Sequence, residues 1–153
     1  MEHNARRELN AYVFVERWTL TPAPEGQPLK AVVVIKNFGE TPAYRLRISP
    51  GLVLGSEEQI PSAQSGSGSV LGALGPGATY EVTMREKVTA ADMEKVSAGR
   101  LKLFVFGRVE YEDAFKNTGR WMTFRVMAAG PPAGPELWKL ISCEQGNDSD
   151  PPE

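Results

Sequence analysis

Along much of this chain apolar and polar residues alternate with a period of two, the spacing of strands with one face buried. The stretch AYVFVERWTL, Ala11 to Leu20, is rich in aromatic and β-branched residues and reads as the first strand. A Pro/Gly-rich break, TPAPEGQP, ends it. In LKAVVVIKN, Ala31, Val33 and Ile35 then share one face while Lys30 and Lys36 take the other. The connection NFGETP follows. Asn37 and Gly39 tolerate positive φ and are expected to turn the chain, and Pro42 fixes φ and stops ladder pairing. Tyr44, Leu46 and Ile48 resume the alternation against Arg45 and Arg47, as at a sandwich corner.

Between Ser49 and Gly77 the Ser/Gly-rich SAQSGSGS and LGPG predict a long connection, either mobile or a binding loop. ATYEVTM is again a strand, through Tyr80, Val82 and Met84. In TAADMEKVSAGR the period changes: Thr89 is placed to cap a short helix, Met93 and Val96 share its face, and Gly99 is suited to end it. LKLFVFGRVEYED and GRWMTFRVM then form a long hairpin. Its inward set is Leu101, Leu103, Val105 and Val109, which with Val33 and Ile35 supplies the expected core. The divisions are a lead-in over 1–10, helical or flexible, and a sandwich over 11–128. A Pro/Gly break with a last apolar strand follows over 129–143, and a disordered acidic tail over 144–153. Such short strands need two packed sheets, which predicts an antiparallel immunoglobulin-like β-sandwich with one short helix, a partly open barrel being the alternative.

Composition narrows the function. The 153 residues suit one domain, and 17 basic against 19 acidic residues leave a net charge of -2, without the basic stripe of a nucleic-acid binder. A single cysteine, Cys143, excludes an internal disulfide framework or a cysteine-based zinc site. No apolar run approaches the roughly 20 residues of a membrane span, and MEHNARREL lacks the apolar stretch of a signal peptide.

Three stretches in order, ARRELNAYVFVE, IKNFGETPAY, and the block from LGPGATY through TAADMEKVSAGRLKLFVFGRVEYEDAF to WMTF, resemble a family of uncharacterised proteobacterial proteins. In that family a short N-terminal membrane helix carries a C-terminal β-sandwich domain, and CEQGNDSD is similar to its tail. Where members have Gly after the Phe of DAF, this chain has Lys116. The family has no established activity, so the resemblance implies no catalytic residues and no cofactor. It does imply a membrane tether in the full-length proteins, which makes this sequence a trimmed piece or a shorter member. Arg6 and Arg7, just after where that helix would lie, favour the cytoplasmic side for the domain, and a single cysteine, Cys143, that has no second cysteine to form a disulfide agrees.

Little in the sequence points to catalysis. The one histidine, His3, lies in the N-terminal segment, so no Ser-His-Asp or Cys-His arrangement can be built on the body. Glu110, Glu112 and Asp113 are the tightest acidic cluster, but Arg108 and Lys102 share the face of the two glutamates, as on a charge-mixed sheet surface. GSGSV and GALGPG match no phosphate-binding pattern. Cys143 reads as a buried thiol, and Trp18, Trp121 and Trp138 as core residues, with a ligand pocket as the other reading.

The outward face of the hairpin is more informative. Phe104 and Phe106 project away from the core beside Lys102 and Arg108, and an apolar patch on a wet face marks a docking surface unless LWKLI folds back over it. These four residues are the candidate interaction surface. The expected function is a non-enzymatic interaction module that binds another protein or a second copy of itself. A small-molecule or carbohydrate-binding domain is the alternative.

Overall fold

The structure, a computed structural model, describes residues 10–21, 28–55, 68–113, 119–128, 141–143 and 146–150. Two antiparallel sheets form a β-sandwich. One contains β1 (Val13–Thr21), β2 (Leu29–Asn37) and β5 (Thr79–Glu86), in the order β1-β2-β5. The other contains β3 (Ala43–Gly55), β4 (Ser69–Leu74), β6 (Lys102–Glu112), β7 (Arg120–Ala128) and β8 (Ile141–Ser142), in the order β4-β3-β6-β7-β8. A helix, α1 (Ala90–Ser97), carries the chain from β5 in the first sheet to β6 in the second. Among the described residues no helix is long and apolar enough to cross a membrane.

The period-two pattern sets the core. Ala31, Val33 and Ile35 of β2 and Val105 and Val109 of β6 are all fully buried between the sheets, and Leu103 is 1% exposed. In α1 the Thr89 hydroxyl accepts the Asp92 N–H at 3.1 Å, Val96 enters the core, and Gly99 leaves the helix at φ +76°. Two glycines inside strands serve aromatic rings. A Cβ on Gly51 would strike the ring of its cross-strand partner Phe106, and one on Gly107 would sit 2.7 Å from the ring of its partner Phe124. Each ring lies in the space a side chain would fill.

The NFGETP connection works differently from the expectation. Neither Asn37 nor Gly39 has positive φ. Instead the fully buried Asn37 side chain uses its amide on four backbone groups. Its Oδ1 accepts the N–H groups of Tyr12 (3.1 Å) and Gly39 (2.9 Å), and its Nδ2 donates to the carbonyls of Thr41 (2.8 Å) and Leu74 (3.0 Å). It thereby ties the entry to β1, its own loop and the end of β4 together. Gly39 is required by space, because a Cβ there would collide with the Asn10 carbonyl and lie 2.8 Å from the Ala11 Cα.

Two further expectations are corrected. Tyr44 does not join Leu46 and Ile48 in the core but is 43% exposed. Arg45 takes φ +49° and the ladder to β6 slips between Tyr44 and Arg47, so the bulge reverses the side-chain alternation and Ala43 takes the inward place. The span from Ser49 to Gly77 is not one long connection either. β3 continues to Gly55, and β4 pairs back on it from Ser69, with positive-φ Gly68 and Gly72 allowing the irregular register; residues 56–67 lie outside the described ones.

Replacing Asn37 with Ala orphans two donors and two acceptors at buried or partly buried positions, so urea melts of Asn37→Ala should show a loss of at least about 3 kcal/mol. The exposed Arg85→Ala should stay within about 0.5 kcal/mol of the parent.

Candidate functional site

The four residues of the expected docking face do lie on the outer face of β6, yet they do not form an open apolar patch. Phe104 is fully buried, packed with Cys143 and flanked by the half-buried Phe106 and Met127. Of the expected cover LWKLI only Ile141 is described, and it is 54% exposed, the rest lying outside the described residues; among those described, the buried contact to Phe104 comes from Cys143, two residues further on. The Arg108 guanidinium lies over the Trp121 ring, 4.6 Å from its centre, with Nε 3.6 Å from Glu110 Oε1. Lys102 alone of the four is exposed.

The acidic cluster is also dispersed. Glu110 faces Arg108, Glu112 faces Arg45 at 3.9 Å, and Asp113 turns inward to Arg120 at 3.1 Å. Among the described residues no group of His, Cys, Asp and Glu side chains is placed to hold a metal ion. Trp18 lies between the sheets and Trp121 on the outer face under Arg108, so the tryptophans do not share a pocket; Trp138 and His3 fall outside the described residues.

What the structure builds instead is one end of the sandwich, where β1, β5 and β7 begin, β2 and β6 finish, and β3 starts. At its centre is Arg120, 3% exposed. Its Nη1 donates to Asp113 Oδ2 (3.1 Å) and to the Ala11 carbonyl (3.3 Å), its Nε donates to Asp150 Oδ2 (3.1 Å), and Tyr12 lies against it at 4.9 Å. Burial opposes the guanidinium charge, but Tyr111, Asp113 and Asp150 outweigh it and hold the group charged beyond its ordinary range. Beside it the Tyr111 hydroxyl accepts the Val13 N–H at 3.3 Å and donates to the Ala11 carbonyl at 3.5 Å. Burial pushes this phenol above its ordinary 10.0, against the opposing pull of the Val13 N–H and of Arg120.

Asp150 belongs to the segment expected to be a disordered tail, and the structure corrects that expectation for residues 146–150. The segment lies along the outer edge of β7. Thr123 donates its N–H to the Asp148 carbonyl (2.8 Å), Asp150 donates to the Trp121 carbonyl (3.1 Å), and Met122 bridges Ser149. At Arg125 a side chain substitutes for a peptide: Asn147 Oδ1 accepts the Arg125 N–H and Asn147 Nδ2 donates to the Arg125 carbonyl, both at 2.9 Å. Together with β8 these bonds cap the β7 edge from Trp121 to Met127. The sequence signal was CEQGNDSD itself, whose Gly, Asn and Asp residues are turn and cap formers able to bond a backbone with side chains.

Around this end stand the exposed aromatic side chains. Of six exposed large apolar or aromatic residues among those described, four are aromatic: Phe14, Phe38 (52%), Tyr44 and Tyr80. Phe14 pairs with Lys36 near the start of β1, Phe38 follows the last residue of β2, Tyr44 is the second residue of β3, and Tyr80 lies opposite Ile35 at the start of β5. Lys36 holds its ammonium 5.3 Å from the Phe38 ring. Next to Phe14 a cleft of about 310 Å³ opens between the edges of β1 and β7. No family model matches the chain, and no curated protein matches it.

Removing the guanidinium takes away the positive charge that compensates the buried Asp113 and Asp150 carboxylates, so Arg120→Met should destabilise the domain by about 3 to 5 kcal/mol. Adding Asp150→Asn to that variant should recover part of the loss in a double-mutant cycle, and strict additivity would show that the pair is not coupled. A phenol held neutral stabilises the fold below its ordinary pKa, and that contribution is lost as pH rises through the raised value. Stability should therefore fall more steeply above pH 10.0 in the parent than in Tyr111→Phe. At neutral pH the Phe variant should be weaker by about 1 kcal/mol, for the lost hydrogen bonds.

Proposed function

We propose that this chain is a non-enzymatic protein–protein interaction module, an immunoglobulin-like β-sandwich that meets its partner, another protein or a second copy, with the aromatic end described above. The observation that carries the reading is the gathering of Phe14, Phe38, Tyr44 and Tyr80 at that one end. Exposed aromatic side chains bury large areas at small entropic cost and are enriched at binding interfaces and their energetic centres. Behind them Asn37 and Arg120 fix the backbone through hydrogen bonds, so the rings are presented on a frame that needs little ordering on contact. The immunoglobulin-like assignment is supported by the strand order: β1-β2-β5 faces β4-β3-β6-β7, with the chain changing sheets between β2 and β3, between β4 and β5, and again between β5 and β6. Membership of the proteobacterial membrane-anchored group remains part of this proposal, supported by the motifs that form the Asn37 loop and the β7-edge tail.

The test is site-specific photo-crosslinking. A benzophenone amino acid at position 38 or 44 should give one discrete adduct, either with a second protein in cells or with another copy of the purified chain. The same probe at Arg85, at the far end of β5, should not. Phe38→Ser should weaken that association roughly tenfold without lowering the melting temperature. Equal labelling from all three positions would overturn the reading.

A further inference from the structure

The cleft between β1 and β7 shares Phe14 with the aromatic end, but its other lining residues carry chemistry that the interaction role does not use. Its walls are aromatic: Phe14 and Trp18 come from β1 and Phe124 from β7, with the Met122 thioether beside them. The ladder between β1 and β2 slips between Val15 and Arg17, which turns this edge of the first sheet and gives the cleft its β1 wall. The opposite rim is the segment 147–149, whose polar groups are largely committed to holding itself in place. The Asn147 amide is spent on Arg125 and on the Cys143 carbonyl, and the Thr123 hydroxyl exchanges hydrogen bonds with the main chain of Asp148. The Asp148 carboxylate is different. One oxygen accepts the Ser149 N–H at 2.9 Å, and no cationic side chain pairs with the group among the described residues.

From this arrangement we propose that the cleft binds an organic cation, a quaternary or alkylated ammonium group on a compact apolar body. Aromatic faces attract such a cation through their quadrupoles, and the attraction grows when the cation is partly desolvated. The carboxylate on the rim supplies the complementary charge. An anion would meet that carboxylate without a compensating cation, and a sugar would find the Asn147 and Thr123 groups already bonded. At about 310 Å³ the cleft is at the small end of ligand sites, a size suited to a trimethylammonium headgroup on a short chain.

Choline and its uncharged carbon isostere 3,3-dimethylbutan-1-ol separate the charge from the shape. The full chain would be titrated with each at constant ionic strength, following the Trp18 indole and the Asp148 and Ser149 amides by NMR. Choline should shift these signals and bind at least roughly fivefold more tightly than the isostere. Trp18→Leu and Asp148→Asn should each weaken choline by a similar factor. Because Asp148 is exposed, the Asn variant leaves the fold intact and carries the test even if Trp18→Leu unfolds. Equal binding of the two probes, unchanged choline binding in Asp148→Asn, or no shift at Trp18 would each overturn the proposal. Neither Phe38 nor Tyr44 lines this cleft, so its failure leaves the interaction reading untouched and the crosslinking result does not bear on it.

Discussion

A guanidinium enclosed in a protein interior must find its counter-charges there, because the alternative is an uncompensated buried ion. Arg120 opens β7 with its side chain turned inward, and what surrounds it follows from that requirement. Asp113 comes from the end of β6, Asp150 from the tail, and the Ala11 carbonyl from the approach to β1. These groups are distant in sequence. Buried ion pairs add little net stability compared with apolar packing, but they penalise every arrangement in which a partner is missing. The same short segment is held from its other side by Asn37, which takes the Tyr12 N–H, and from close by at Gly39, which leaves room for the Asn10 carbonyl. Residues 10–13 are thus clasped between the two sheets.

The C-terminal segment shows how the same requirement protects an edge. β7 would otherwise present a row of unpaired N–H and C=O groups, the usual template for edge-to-edge association. A regular strand covers only the far part, at Ile141 and Ser142. Nearer to Arg120 the cover is irregular, with Asn147 acting as a peptide surrogate and Gly146, at φ +88°, packed against the Arg125 side chain. Asp150 then ends the segment by bonding both the Trp121 N–H and the Arg120 guanidinium. The aromatic end and the edge cleft are both bounded by this segment or by the residues it holds.

Much of the sandwich was legible in local pattern. Val33 and Ile35, Val105 and Val109, and the Thr89-capped helix all occupy the places that period and capping assign them. What escaped the pattern depends on contacts across the fold. Tyr44 was misplaced because a single positive φ at Arg45 reverses the alternation, and nothing local marks an arginine for that conformation. For Phe104 the pattern gives only the outward face and leaves open whether a partner or the terminal apolar run covers it, because the contact with Cys143 is made across the fold from beyond a Pro/Gly break. The tail was read as disordered because its composition is polar. Its order comes from hydrogen bonds to β7 rather than from apolar burial, and composition does not report those. The aromatic end was missed for a related reason: Phe14, Phe38, Tyr44 and Tyr80 are far apart in the chain, and only the pairing of β1, β2 and β5 in one sheet and of β3 with the end of β6 in the other brings them to one end.

This end of the sandwich depends on the segment 146–150 being held on the β7 edge and locked through Asp150 to Arg120. Native-state amide exchange measures this directly, because the N–H groups of Trp121, Thr123 and Arg125 on the outer edge of β7 donate to Asp150, Asp148 and Asn147. If the account is right, these three amides exchange slowly, in the same class as those of the central strand β6. Exchange at the rate of an unstructured peptide at all three, with β6 still protected, would contradict it.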